Sequence, residues 1–476
     1  MNNIQRIFKN FSLLLAANIV TYVCSAIFVI ISARYFGNVR YGIFGFVISF
    51  TSLLGVLGNL GWNTFAVREA ARDLKKTNKL LANIILLRIG IGTLVFLITC
   101  ILVNLLNYPH EKIILVYILA ANVFLATLGS SFRWVFDAYQ KFQYESLLRV
   151  LSAVLLLGLG ILVVVNGMGL VAIALSNLCA NVIVCGVGYF VLLRRLLRPR
   201  IRLDFGFCKY LIRETIPFSL NFIFTTIYLN LDVVLLSTIC GDAETGLYSA
   251  ASKLIIMAKV VINLYIPVVF PALSQLFASS SEKFKKLLDR SFIYLLMIGL
   301  GMTILTTVFA DRIVVQLFGS SFTQSANSLR ILSWAAFLVF LNGISGIALV
   351  CAGYQKLCTK ITGIGLVLNI SLNLLLIPGL GQIGTSLSIL ATELVVTMLV
   401  LYWQYKILEY RPSSKMVLKI LASAIMVTPF AWWLHQANLV LGLSLCVMIY
   451  GILLLYTGAI SKEDKFIIKK LVMRTA

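Results

Sequence analysis

The feature that most constrains this chain is a succession of apolar stretches, each about twenty residues or longer, separated by short polar turns. About twenty apolar residues carry a helix across the hydrocarbon core of a bilayer. The chain is 60% hydrophobic and 12% charged, whereas a soluble protein is about half apolar and about a quarter charged. The sequence therefore predicts an all-α integral membrane protein with about fourteen transmembrane helices.

Some details of these spans can be predicted from turn and breaker residues. Two pairs of helices are expected to be joined by tight turns, at Asn166-Gly167 and at Pro378-Gly379. The second and eighth spans are expected near residues 41–66 and 246–277. Pro267 and Pro271 lie near the end of the eighth span and predict a kink there, because each removes a backbone hydrogen bond.

The charge distribution predicts the orientation of the helices. Lys and Arg number 40 against 17 Asp and Glu, a net charge of +23, which in a soluble protein would suggest nucleic-acid binding. Here the bases cluster between apolar runs, above all in residues 194–213, which is typical of cytosolic loops. We expect a multi-pass protein of the plasma or inner membrane with both termini cytosolic, a retained first helix and no nucleic-acid partner.

Nothing in the sequence indicates catalysis. The nine cysteines and two histidines show no metal-ligand spacing, so no metal or resident cofactor is expected. The sequence offers no long loop on the outer face and no recognisable acid/base pair or nucleophile. We therefore expect a protein that is not an enzyme.

The two halves of the chain resemble each other. Residues 37–44 (GNVRYGIF) match 241–248 (GDAETGLY), and 138–141 (AYQK) match 353–356 (GYQK). Gly169 likewise matches Gly381. Because six helices separate the copies, this is a parallel repeat, an arrangement that puts a transport path between the halves. The predicted divisions are a six-helix lobe at 1–200, a second at 201–410, and two further helices with a basic cytosolic tail at 411–476.

These motifs resemble the multidrug/oligosaccharidyl-lipid/polysaccharide exporter superfamily, in its polysaccharide-transporter branch of O-antigen-type flippases. The resemblance rests on residues 34–44, 67–72 (VREAAR), Asp232 and 241–248, and its plan of helices covers essentially the whole chain. It implies two six-helix lobes around a central cavity that alternates between leaflets. It also implies that a polyprenyl-diphosphate-linked oligosaccharide moves from the cytosolic to the outer leaflet for surface polysaccharide synthesis. Membrane lipids and polysaccharide-assembly proteins would be its other partners.

Charged residues within spans are the candidate functional residues, since each costs about 2.5–3.5 kcal/mol to insert. Snorkelling, an internal ion pair or a misplaced span end is the competing interpretation for each of them. Arg34, Arg40, Lys112 and Arg312 are expected at the outer surface instead. The substrate-binding candidates are Arg88, Lys253, Lys259, Asn263 and Arg330, and the coupling-ion or ion-pair candidates are Asp232 and Glu393.

Spacing suggests a role for several of these residues. Asp232 and Lys253 are expected at similar depths in one helical hairpin, where they would form an ion pair. Lys259 and Asn263 are four residues apart and therefore share a helix face, which would suit an anionic headgroup. A buried Glu393 would be suited to bind H⁺ or Na⁺ as a coupling ion.

Other functions remain open at this point. A lipid II flippase and a cation-coupled drug exporter belong to the same superfamily, but an exporter of organic cations needs buried carboxylates more than bases. A membrane polysaccharide polymerase or ligase would need an extracytoplasmic catalytic loop. Because basic candidates outnumber acidic ones, an anionic substrate is favoured.

Overall fold

A computed structural model describes residues 3–59, 61–197 and 204–459 of the chain. Every regular element in these ranges is helical, as the sequence predicts. Parts of the basic 194–213 segment and of the C-terminal tail, at 198–203 and 460–476, lie outside the described residues. The helices are α1 (Asn3–Gly55), α2 (Trp62–Arg72), α3 (Thr77–Leu105), α4 (His110–Ala138), α5 (Phe142–Val165), α6 (Leu170–Arg195), α7 (Phe205–Cys240), α8 (Asp242–Ala258), α9 (Val260–Ser279), α10 (Ser281–Phe318), α11 (Ser325–Cys351), α12 (Gln355–Leu408), α13 (Ser414–Leu434) and α14 (Leu439–Tyr456).

The helices are long and apolar enough to account for the predicted number of spans. Within the described ranges, twelve helical stretches meet the length and hydropathy needed to cross a membrane. The two longest each contain a glycine with non-helical backbone angles, Gly37 within α1 and Gly381 within α12. Each of these stretches can therefore cross twice, which gives about fourteen crossings.

The breaks at Gly37 and Gly241 share one backbone conformation. Gly37 has φ 70° and ψ 175°, and Gly241, between α7 and α8, has φ 84° and ψ −176°. Side chains with a β-carbon rarely adopt this region, so glycine is needed for the chain to reverse there. The shared geometry agrees with the match between these two segments of the sequence.

One of the predicted spans is wrong in detail. The second does not run to residue 66, because α1 ends at Gly55 and a short 3₁₀ turn leads to a separate helix, α2. The eighth lies within one helical stretch, Asp242–Ser279, that is long and apolar enough to cross a membrane, and α8 and α9 meet in it at a one-residue interruption, Lys259. Pro267 and Pro271, which predicted a kink, both lie inside α9.

Of the two predicted turns, one is confirmed and the other lies at a different residue. The turn at Asn166-Gly167 is confirmed, since α5 ends at Val165 and Gly167 has φ 66°. The turn expected at Pro378-Gly379 lies instead at Gly381, because the helix continues through Pro378. The AYQK match is also displaced. The left-handed residue after α4 is Gln140 and the one after α11 is Gly353, so the helix ends align two residues away from the sequence match.

The beginning of α7 is fixed by Asp204. Its carboxylate accepts a hydrogen bond from the backbone N–H of Phe207 at 2.9 Å, as an N-cap does, and forms an ion pair with Lys79 at 2.7 Å. The hydrogen bond from Lys79 and the bond from Phe207 hold the pKa of Asp204 below its usual range. The carboxylate therefore stays charged and keeps α7 attached to the start of α3.

The chain forms two compact units, Met1–Ser249 and Ala250–Ala476, with the boundary inside α8. In the first unit, the buried core includes Phe46, Leu115 and Ile173. In the second unit, the core forms where α10 meets its neighbours and includes residues such as Phe292 and Ile344. Helices α13 and α14 belong to this second core, in which the hydroxyl of Tyr450 donates to the carbonyl of Met297 at 3.1 Å. The predicted divisions at 1–200, 201–410 and 411–476 stay a prediction.

Candidate functional site

Two glycines of the first unit bring the starts of two helices into backbone contact. A β-carbon on Gly42 would lie 1.8 Å from the carbonyl oxygen of Asp242, and one on Gly246 would lie 1.8 Å from that of Asn38. Since Asn38 and Asp242 are matched positions, as are Gly42 and Gly246, the contact is reciprocal. We call these four residues the glycine crossing. No other residue type fits at the two glycine positions without moving the backbone.

A buried ion pair lies beside the glycine crossing. Lys112 Nζ is 2.6 Å from the Asp242 carboxylate, and the two side chains are only 7% and 21% exposed. Ser237 donates to the same carboxylate at 3.0 Å. The ammonium also lies 4.9 Å from the centre of the Phe46 ring and 5.4 Å from that of Tyr108, within cation–π range. Lys112 is therefore buried among these groups at the start of α4, and its expected place at the outer surface of the membrane stays a prediction.

Asp232 lies in α7 of the first unit and is buried, with 2% exposure. Its carboxylate accepts a hydrogen bond from the hydroxyl of Tyr248 at 3.4 Å. Lys253, the partner expected from the sequence, belongs to the second unit. Their ion pair stays a prediction.

Arg88 is fully buried within the first unit, among neutral oxygens. Its guanidinium donates to Ser131 Oγ at 2.6 Å, to Asn63 Oδ1 at 2.8 Å and to Asn59 Oδ1 at 3.4 Å. Asn59 and Asn63 lie on either side of the turn that separates α1 from α2. Arg88 thus ties this turn to α3 and α4. Its Nε has no hydrogen-bond partner among the described residues.

Arg330 lies in α11 of the second unit and pairs with an acid of the preceding helix. Its guanidinium contacts the Asp311 carboxylate in a short ion pair and donates to Asn327 Oδ1 at 3.0 Å. It also donates to the carbonyl of Thr307 at 3.4 Å. These contacts give Arg330 a complete structural role at the α10–α11 corner.

A polar cluster lies in the interior of the second unit. Glu393, 6% exposed, accepts a hydrogen bond from the Asn342 side-chain amide at 2.9 Å. The same amide lies 3.3 Å from the Thr397 hydroxyl, one turn along α12. Lys259 lies within electrostatic range of Glu393. We call Lys259, Asn342, Glu393 and Thr397 the Glu393 cluster.

The remaining two candidates lie close to Lys259 in sequence. Lys253 in α8 is partly buried, and Asn263 in α9 is exposed. The backbone N–H of Asn263 donates to the carbonyl of Lys259 at 3.1 Å, so helical bonding continues across the interruption. Lys259 and Glu393 therefore lie within electrostatic range of each other, while Arg88 and Arg330 each occupy a separate structural environment.

Sequence reasoning missed Asn342 and Asp242, and it missed the ion pair of Lys112. Asn342 is uncharged, so nothing in the sequence marks it as the partner of Glu393, 51 residues away. Asp242 and Lys112 stand at helix starts, where charged residues are ordinarily solvated. The repeat in the sequence could have drawn attention to Asp242. It matches Asn38 of the first half, and only Asp242 of these two residues is charged.

Comparison with known proteins gives a consistent family. A model of polysaccharide biosynthesis proteins matches residues 7–277, more than half of the chain. An uncharacterised membrane protein of Methanocaldococcus jannaschii is 24% identical over 91% of this chain and 92% of its own length. A Shigella dysenteriae protein named for O-antigen transport is 24% identical over 73% of this chain and 87% of its own.

A solved structure has a similar fold. The lipid II flippase MurJ in an inward closed conformation superimposes with a TM-score of 0.79, at 13% identity, over 95% of this chain and 99% of that one. The transport role named for the Shigella relative agrees with the expectation that the chain is a membrane transporter rather than an enzyme. The chain belongs to the polysaccharide biosynthesis protein family.

Proposed function

We propose that the protein is a flippase that moves a polyprenyl-diphosphate-linked oligosaccharide from the cytosolic to the outer leaflet by alternating access. The observation that carries this proposal is the sign of the charge within its membrane-spanning helices. Lys253 in α8 and Lys259 at its end are basic residues of such helices. Such cations are costly to keep in a membrane unless an anion uses them.

The proposed orientation follows from the positive-inside distribution of the bases, with both termini in the cytosol and the protein in the plasma or inner membrane. In this orientation Gly37 and Gly241 lie at the outer ends of their helices. The glycine crossing then closes the outer side of the first unit, and the substrate would enter from the cytosolic leaflet.

Lys259 is the residue that we propose contacts the diphosphate. It stands at the interruption between α8 and α9, and Asn263 follows on the same face with an exposed amide. Lysine acts on phosphate mainly as a point charge, so its charge should matter more than its shape. Arg88 and Arg330 are better explained as structural, because their guanidinium groups are occupied by neutral oxygens and by Asp311.

The contact with the diphosphate is the same whatever sugars the substrate carries and whatever pathway it serves. A lipid II flippase would use the same diphosphate chemistry, and complementation in strains lacking one or the other flippase separates the two. A drug exporter for organic cations is less well supported. Such an exporter needs buried carboxylates, and only Asp232 and Glu393 are acids among the candidate residues. We propose the enzymes of surface polysaccharide assembly as its functional partners.

The test is complementation of a flippase-deficient strain with a matched surface glycan. Lys259→Ala should lose most transport at equal membrane expression, whereas Lys259→Arg should keep a substantial part of it because the charge is retained. Lys360→Ala, which removes an exposed lysine of the same unit, serves as the matched control and should behave like the wild type. Normal transport by Lys259→Ala would show that this lysine does not bind the substrate.

A further inference from the structure

An open cavity of about 530 Å³ lies where the end of α10 meets the turn between α13 and α14. This volume is within the range of about 300–1,000 Å³ that small-molecule sites occupy. All of the residues that line the cavity belong to the second unit. The polar part of the lining consists of Asp311, Arg312, Gln316, Gln436 and Asn438. We call this cavity the amide pocket.

The turn that forms one wall of the amide pocket is fixed to α10. The guanidinium of Arg312 donates to the backbone carbonyls of Ala437 and of Gln436, the second at 3.1 Å. Next to this turn, the rings of His435 and Phe309 lie 5.8 Å apart between their centres. Phe309 belongs to a buried apolar cluster that α10 shares with α13 and α14. Because the wall is already held on its polar and its apolar side, little ordering is needed before a ligand binds.

Several hydrogen-bonding groups of the amide pocket are left for a ligand. The side-chain amide of Gln436 is exposed and makes no hydrogen bond to the described residues. Asn438 uses its side-chain oxygen to cap α14, accepting from the backbone N–H of Val440 at 3.0 Å, and this leaves its NH₂ group available. Asp311 uses one carboxylate oxygen for Arg330, and its other oxygen has no partner among the described residues. The pocket therefore offers donors and an acceptor side by side.

This combination suits a sugar better than a phosphate. A phosphate group needs donors, but both terminal nitrogens of Arg312 are engaged by carbonyls. A phosphate would also lie against the second carboxylate oxygen of Asp311, which only accepts hydrogen bonds. A sugar hydroxyl both donates and accepts, so it can bond to the carboxylate and to a neighbouring amide at once. The charge of Asp311 is already balanced by Arg330, and a neutral ligand therefore leaves no new charge unpaired.

The depth of the amide pocket agrees with such a ligand. In the proposed orientation, α10 ends and α14 begins on the outer side of the membrane. Trp432 and Trp433, both largely exposed, stand near the end of α13, four and three residues before Gln436. Tryptophan is enriched at the level of the lipid headgroups. The pocket thus lies at the level of the outer headgroups, where the sugars of a translocated lipid emerge.

We propose that the amide pocket binds a saccharide, whose hydroxyls bond to Asp311, Gln436 and Asn438. Two molecules carry this chemistry at the outer face. One is the sugar chain of the lipid-linked substrate after it has crossed, and the other is a glycan that has left its lipid. The inference rests on the proposed function, from which it takes the orientation and a substrate that bears sugars.

The experiment measures saturation transfer in NMR from the full-length protein to glucose, galactose, mannose and N-acetylglucosamine and to their short oligomers. The protein is held in lipid nanodiscs, which contain no sugar-based detergent, and transfer to at least one of these sugars is expected. Gln436→Leu combined with Asn438→Asp keeps an oxygen that caps α14 but removes both amides. This double variant should lose at least about tenfold in affinity, since two hydrogen bonds are lost. Gln324→Leu, at an exposed amide of the same unit outside the pocket, is the matched control and should bind like the wild type.

Competition with inorganic phosphate tests the class of ligand. Phosphate at the same concentration should leave the sugar signal unchanged. Displacement of the sugar by phosphate would identify a site for lipid headgroups and overturn the proposal. Absence of transfer to every sugar, or equal transfer in the double variant, would overturn it as well.

The source of the saccharide is separated by transport of a fluorescent polyprenyl-diphosphate-linked oligosaccharide in vesicles. Slower transport by the double variant assigns the pocket to the sugars of the substrate, whereas unchanged transport with lost sugar binding assigns it to a released glycan. Transport by a wild-type protein that binds no sugar rejects the pocket and leaves the proposed function standing. Sugar binding without any transport keeps the pocket and rejects the proposed function.

Discussion

Replacing Gly42 or Gly246 with leucine is expected to abolish transport while the protein still reaches the membrane. Each new β-carbon would lie 1.8 Å from a backbone carbonyl oxygen, of Asp242 or of Asn38. The obstacle is backbone rather than the end of a flexible side chain, so no rotamer change can relieve it. The two helix starts must separate, and the outer side of the first unit can then no longer close in the proposed cycle.

Transport by complementation, with membrane expression measured in parallel, checks this prediction. Gly158→Leu is the matched control, because a β-carbon on this helical glycine meets no atom within 4 Å. The control should transport normally, and each crossing variant should lose at least about tenfold, equivalent to about 1.4 kcal/mol. Transport at the wild-type level in Gly42→Leu or Gly246→Leu would show that the close contact is not part of the cycle.

Lys112→Met should produce the largest loss of stability. The substitution keeps the length of the side chain but leaves the Asp242 carboxylate, 21% exposed, without its cation. Breaking one side of a buried pair costs about 3–5 kcal/mol, and the partial exposure of Asp242 favours the lower end of that range. The melting temperature of the purified protein in detergent should fall by roughly 3–5 °C.

A second substitution separates the charge from the packing. Asp242→Asn in the Lys112→Met background removes the stranded carboxylate and should recover much of the lost stability. Asparagine is a natural choice, since Asn38 occupies the matched position of the first half. Lys76→Met, at a lysine that is 62% exposed, should leave the melting temperature unchanged. A wild-type melting temperature for Lys112→Met would mean that the ion pair contributes nothing to the fold.

The helical architecture could be predicted from the sequence because its cause is local. Runs of apolar residues fix the spans, and the turns at Gly37 and Gly167 follow from the chemistry of glycine in the left-handed region. The predicted position of the turn at Pro378-Gly379 was wrong, because a proline and a nearby glycine can each end a helix. Pro378 ordinarily ends a helix, but here the chain continues to Gly381, whose φ of 52° allows the reversal.

The contacts of the candidate residues could not be predicted, because they join segments far apart in the chain. The acceptors of Arg88 lie 25 to 43 residues away, and Lys112 reaches a carboxylate on α8. Charge alone drew attention to Arg88, Lys259, Arg330 and Glu393, but only tertiary packing distinguishes them. It shows that Arg330 is paired with Asp311 and that Glu393 is bonded to Asn342.

The central claim, that the protein moves a lipid-linked diphosphate saccharide between leaflets, is tested most directly in reconstituted vesicles. A fluorescent polyprenyl-diphosphate-linked oligosaccharide is placed in both leaflets, and a membrane-impermeant reductant destroys only the fluorescence that reaches the outside. With the wild-type protein nearly all of the signal should be lost. Vesicles with Lys259→Ala, or without protein, should keep the share of the inner leaflet. Equal protection in wild-type and protein-free vesicles would contradict the account.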